Sequence, residues 1–157
     1  MRTKTLVLDA MGELSIELPV SGKCRRKNFG RPYPLTPNLK RNTWHAIAYD
    51  VSEWSLKLRK RFGLVQFIHG FLISGDVGVR KPDRAIFEHL LKKTGAAADD
   101  IIFVDDNVTN LDAAAMLGIK TILFTSEPQH DGTRHSAVNN CNDLVNVVVA
   151  ADNREGG

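Results

Sequence analysis

Two apolar runs, far apart in the chain, each end in acid: Thr5-Leu6-Val7-Leu8-Asp9 and Ile101-Ile102-Phe103-Val104-Asp105-Asp106. A strand that is apolar throughout is buried on both faces, which is the condition of a parallel sheet covered by helices. Ligands of such sheets bind beyond the carboxyl ends of the strands, where the strand order reverses. If these two strands are neighbours, Asp9 and Asp106 face one crevice, and two carboxylates that close repel unless a cation lies between them. Lys81, within Gly78-Val79-Arg80-Lys81-Pro82-Asp83, supplies a fixed positive charge. Strand-end carboxylate, lysine and paired carboxylates together imply a magnesium-dependent site for a small anionic substrate.

Between and after these runs, strands alternate with helices. Residues 44–49 read as a short second strand. Asp50 is placed as a helix N-cap with Glu53 completing a capping box, and Trp54, Leu58 and Phe62 form that helix's apolar face up to Gly63. A third strand is expected over 71–74. Pro82 suits the first turn of the next helix, whose Ile86, Phe87, Leu90 and Leu91 face inward before Gly95. The fourth strand is Ile101–Asp105. Asn107 caps a helix that buries Leu111, Ala114, Ala115 and Leu117 before Gly118, and Lys120–Phe124 is the fifth strand. A last helix is expected over 142–149. This alternation predicts a doubly wound α/β fold around a parallel five-stranded sheet. The whole is one core domain over 1–151, with 152–157 a frayed tail.

At 157 residues the chain is large enough for one domain that buries roughly 70% of its unfolded surface. The net charge of +3 conceals an asymmetry. Residues 18–49 carry seven basic side chains and no acid, whereas the remainder carries 14 basic against 18 acidic, a net of −4. Residues 13–43, punctuated by Pro19, Pro32, Pro34 and Pro37, show no sustained period of two or of 3.6 and read as an irregular basic insert. Clustered Lys and Arg attract phosphates, but Phe29 and Tyr33 offer little for base stacking, so nucleic acid is not an expected partner. No apolar run approaches the ~20 residues that span a bilayer, so no membrane partner is expected and the expected location is cytoplasmic. Cys24 and Cys141 stand apart, and the five histidines form no ligand-like grouping.

The ordered set Asp9, Ser74-Gly75-Asp76 through Lys81-Pro82-Asp83, and Phe103-Val104-Asp105-Asp106-Asn107 with Asn110 resembles the motifs of the haloacid dehalogenase-like (HAD) hydrolase superfamily. The likeness is greatest from Phe71 to Phe124 and reaches, less closely, to His45 and Trp54. It implies a HAD-like Rossmannoid core with the first strand between the second and the fourth. By this resemblance Asp9 is the nucleophile and a magnesium ligand, the Met11 backbone carbonyl a second ligand, and Asp106 the third. Asp105 and Asn110 support them, and Lys81 holds both Asp9 and the substrate anion. Ala48 and Tyr49 fall where the second motif meets substrate, and Ser74 bonds either its own turn or the substrate. The activity implied is that of a phosphatase-type hydrolase, acting on a small organic phosphate through an aspartyl intermediate.

Three departures leave other readings open. The phosphatase pattern carries a second aspartate that protonates the leaving group, and here that position is Met11. General acid catalysis contributes typically 10²–10⁴-fold, so ester hydrolysis is expected to be slow or absent unless another acid, such as Asp50 or Glu13, serves. Ala48 stands where the family has Ser or Thr, and the insert at 13–43 is too short and Pro-rich for a helical cap, so the cap is reduced or absent. These departures motivate a catalytically degenerate relative with a binding or regulatory role, and, less strongly, carbon–halogen hydrolysis at Asp9.

Overall fold

A computed structural model of the chain describes residues 5–9, 43–48, 70–125 and 132–153. The apolar runs form the centre of a six-stranded parallel sheet. Its strands are β1 (Thr5–Asp9), β2 (Thr43–Ala48), β3 (Gly70–Ile73), β4 (Ile101–Asp105), β5 (Lys120–Phe124) and β6 (Ser136–Val138), in the order β3-β2-β1-β4-β5-β6. From β1 the chain builds outward to β3 and then returns to place β4 on β1's other side, so the order reverses between β1 and β4. Thr5 pairs with Ile101 and Leu8 with Val104, which sets the ends of β1 and β4 level.

The sheet is covered on both faces because alternate residues of a strand point to opposite sides. Along β4, Ile101 and Phe103 pack with Val7, Leu72 and Leu123 under α2 (Arg84–Thr94) and α3 (Val108–Ala115). Ile102 and Val104 turn the other way, to Leu6, Leu8, Ile122 and Val138 under α4 (Cys141–Asn153). Ile86, Phe87 and Leu90 of α2 and Leu111 and Ala114 of α3 are fully buried in the first layer, and Leu144 and Val148 of α4 close the second. Each such large side chain contributes about 1.5–3 kcal/mol of burial. Phe87 meets Phe103 edge to face at 5.3 Å, which adds about 0.5–1.5 kcal/mol beyond area.

Helix ends follow their capping residues. Asn107 accepts a hydrogen bond from the Thr109 N–H at 2.9 Å and starts α3, as expected. Gly95, at φ 65°, ends α2, a left-handed position that a side chain would strain. Four expectations need correction. Ser74 does not end β3 but opens α1 (Ser74–Val77), which Gly78 closes at φ 73°. Pro82 lies outside α2, whose N-cap is Asp83, accepting from the Ala85 N–H at 2.9 Å; an aspartate that caps displaces the proline to the preceding turn. The sheet has one more strand than expected, since β6 is three residues with one buried apolar side chain, too short to show a period. Asp152 and Asn153, expected to fray, continue α4. The helix expected over 50–63, the insert at 13–43 and residues 154–157 lie outside the described residues.

Candidate functional site at the ends of β1 and β4

Alternation along β4 gives Asp105 the same side as Ile101 and Phe103, so the strand ends with a carboxylate turned under α3 rather than toward water. Asp105 is 2% exposed. Its Oδ2 accepts from Lys81 Nζ at 2.7 Å, its Oδ1 from the Asn107 backbone N–H at 2.8 Å, and the Asn110 side-chain amide donates to both oxygens at 3.2 and 3.1 Å. A carboxylate has about four lone-pair sites, and these four contacts fill them. The Lys81 side chain is nearly as buried and sits over the Phe103 ring, 5.5 Å from its centroid. One carboxylate therefore fixes the turn that carries Lys81 and the start of α3.

Asp106 has left the strand, and its side chain is exposed. Among the described residues nothing hydrogen-bonds to or pairs with its carboxylate. The two adjacent acids thus have opposite capacities. Asp105 has no oxygen to spare, whereas Asp106 offers both of its own beside the end of β1. A magnesium ion needs one or two carboxylates and fills its remaining positions with carbonyls and water. The exposed Asp106 carboxylate meets the carboxylate part of that requirement. Among the described residues no three His, Cys, Asp or Glu side chains gather as ligands.

The other expected residues are placed as follows. Asp9 ends β1, one position beyond the Leu8–Val104 pair and level with Asp105; its side chain lies outside the described set. Ala48 ends β2 opposite Ile73, the residue before Ser74, so the register brings both to the same end of the sheet. Ser74 is half-buried at the start of α1, and its carbonyl accepts from the Gly78 N–H at 2.9 Å. Met11 and Tyr49 are outside the described residues.

One polar cluster escaped the sequence reading. His135, just before β6, is buried; its Nδ1 lies 2.7 Å from Thr121 Oγ1 and its Nε2 3.2 Å from Asp112 Oδ1. Arg134 Nη2 also reaches Asp112 Oδ1, at 2.9 Å. A lone histidine in a polar loop carries no periodic signal, and its partners are 14 and 23 residues away.

The sequence profile of haloacid dehalogenase-like hydrolases matches residues 39–118, a little over half of the chain. The chain is 47% identical over 51 residues to drimenol cyclase drtB of Aspergillus calidoustus, covering 32% of this chain and 10% of that protein. It is 42% identical over 93 residues to sesquiterpene phosphatase astK of Aspergillus oryzae, covering 59% of this chain and 41% of that one. The chain thus spans less than half the length of these relatives. Among solved structures, the core domain of a Streptococcus pneumoniae protein, provisionally described as a phosphoglycolate phosphatase, superposes with a TM-score of 0.63 at 16% identity, over 94% of this chain and 96% of that one. A HAD family enzyme of Bacteroides thetaiotaomicron, an alanine variant in complex with magnesium and inorganic phosphate, superposes with a TM-score of 0.52 at 17% identity, over 59% of this chain and 50% of that one.

Proposed function

The chain belongs to the haloacid dehalogenase-like hydrolases, and from that premise we propose that it is a magnesium-dependent, phosphatase-type hydrolase that works through an aspartyl intermediate on Asp9. The observation that carries this reading is the division of labour at the end of β4. Asp105 is saturated by Lys81, Asn107 and Asn110, which leaves the exposed Asp106 carboxylate for a cation. Asp9 and Asp106, with the Met11 carbonyl, are the residues that would hold magnesium. When bound, the ion would screen the nucleophile and the phosphate from each other.

In the reaction an Asp9 carboxylate oxygen bonds to phosphorus as the bond to the leaving oxygen breaks. Water then attacks phosphorus, the acyl–phosphate link is cleaved, and Asp9 is restored with release of phosphate. Lys81 lends its positive charge to the substrate anion from a position fixed by Asp105. Met11 cannot donate a proton, so the leaving oxygen departs with its charge or takes a proton from water. Rates should therefore rise steeply as the leaving group becomes more acidic. The name of the Aspergillus oryzae relative, a sesquiterpene phosphatase, favours a sesquiterpenyl phosphate as the substrate.

The test is a panel of terpenyl mono- and diphosphates with p-nitrophenyl phosphate, assayed with magnesium and with a chelator. Turnover should require the metal and vanish in Asp9→Asn, with thermal unfolding nearly unchanged; activity retained in Asp9→Asn would refute the mechanism. Met11 and Ala48 also favour a second reading, a non-catalytic relative that keeps the metal site for binding or regulation. Magnesium-dependent turnover of any member of the panel excludes it.

A further inference from the structure

α3 carries the site's Asn110 and starts two residues after Asp106, yet it is short and buries only Leu111 and Ala114 completely. Val108 and Ala113, partly buried, pack against the same core, and polar ties at the helix's two flanks add a fixed direction to that apolar contact. Asn110 and Asp112 provide them. They lie two positions apart, about 200° around the helix, on opposite flanks. Asn110 is tied to Asp105 at the carboxyl end of the sheet. Asp112 is tied to His135, which stands at the opposite end. Ile122 pairs with Ser136, so the residues before them, Thr121 in β5 and His135 at the entry of β6, come level at the sheet's amino edge.

The histidine is the strong half of this second tie. Its side chain is 2% exposed, and both ring nitrogens have partners: Nε2 lies 3.2 Å from Asp112 Oδ1 and Nδ1 2.7 Å from the Thr121 hydroxyl oxygen. The Arg134–Asp112 pair is 60% and 47% exposed, where an ion pair contributes little. The imidazole itself is buried, and a buried polar ring is costly to leave with one nitrogen unmatched. It therefore resists any shift of α3 that would lengthen the Asp112–His135 contact.

We propose that His135 and Asp112 are positioning residues of the site: by latching α3 to β5 and the entry of β6, they hold Asn110 against Asp105 and Asp106 at the mouth. The effect on metal binding rests on the function proposed above; the effect on Asn110 does not. Asp112→Ala and His135→Gln should each move the Asn110 side-chain amide resonances in ¹⁵N-labelled protein. Each should also raise the magnesium dissociation constant, measured by calorimetry on the full chain, roughly two- to thirtyfold, the usual range for coupling through packed elements. Arg84→Ala, on the exposed side of α2, is the control and should change neither. If His135→Gln fails to fold, Asp112→Ala decides, because that side chain is 47% exposed and its loss leaves the core intact. Unmoved Asn110 resonances in a folded Asp112→Ala protein overturn the proposal, even if its melting temperature falls. A wild-type protein that binds no magnesium overturns the proposed function instead, and the Asn110 signals then decide the latch by themselves.

Discussion

Lys81–Asp105 and Arg84–Glu88 are both ion pairs of 2.7 Å, three residues apart at their cationic ends, and they do unlike things. The first is 5% and 0% exposed, the second 67% and 54%. In water the exposed pair gains little Coulomb energy, loses side-chain freedom and is screened by salt. The buried pair gives up the hydration of two charges and recovers it only through complete bonding, which Asn107 and Asn110 supply. Distance does not separate the two; burial does. The buried pair holds together the turn after α1, the end of β4 and the start of α3, and the exposed pair decorates one helix.

The largest effect that would test this contrast is the removal of one buried partner. Asp105→Ala removes the buried carboxylate that Lys81, Asn107 and Asn110 all bond and should cost about 3–5 kcal/mol in urea unfolding. Replacing both partners together, Lys81→Met with Asp105→Leu, should recover part of that loss, because no charge is left stranded. A double variant less stable than either single one would break the argument. Next in size is Asp106→Asn. It should leave unfolding within about 0.5 kcal/mol of the parent, as expected of a surface change, while lowering magnesium affinity at least tenfold by calorimetry. A large stability loss there would show that Asp106 is structural after all. Smallest is Arg84→Ala, expected at about 0.2–0.5 kcal/mol and to shrink further as salt is raised.

Much of the framework was legible because it depends on local pattern. The runs ending in Asp9 and Asp105 gave β1 and β4, Lys120–Phe124 gave β5, and the Ile86, Phe87, Leu90 spacing gave the buried face of α2. Asn107 was readable as a cap because capping needs only a side-chain oxygen two residues before the N–H it accepts from. The start of α2 was misread because Pro82 and Asp83 both suit a helix beginning, and sequence alone does not choose between them. β6 and the His135 cluster were not readable for a different reason. Their bonds join residues from separate elements, and no period or spacing along the chain encodes that adjacency.

The candidate site shows the same boundary. Its acids, lysine and asparagine could be picked out in order, and the likeness to one family grouped them. Which of two adjacent aspartates is spent inside and which is free outside followed from strand parity combined with what covers each face. That Lys81 sits on Asp105 was likewise settled by packing, since 24 residues separate them.

The amino-acid order by itself determined the alternation of strands and helices and the acids at the strand ends, since burial on two faces and helix capping are written in neighbouring residues. The partners of those acids, the latch on α3 and the last strand were decided by tertiary structure, because a hydrogen bond between distant segments exists only once the sheet's register has brought them level.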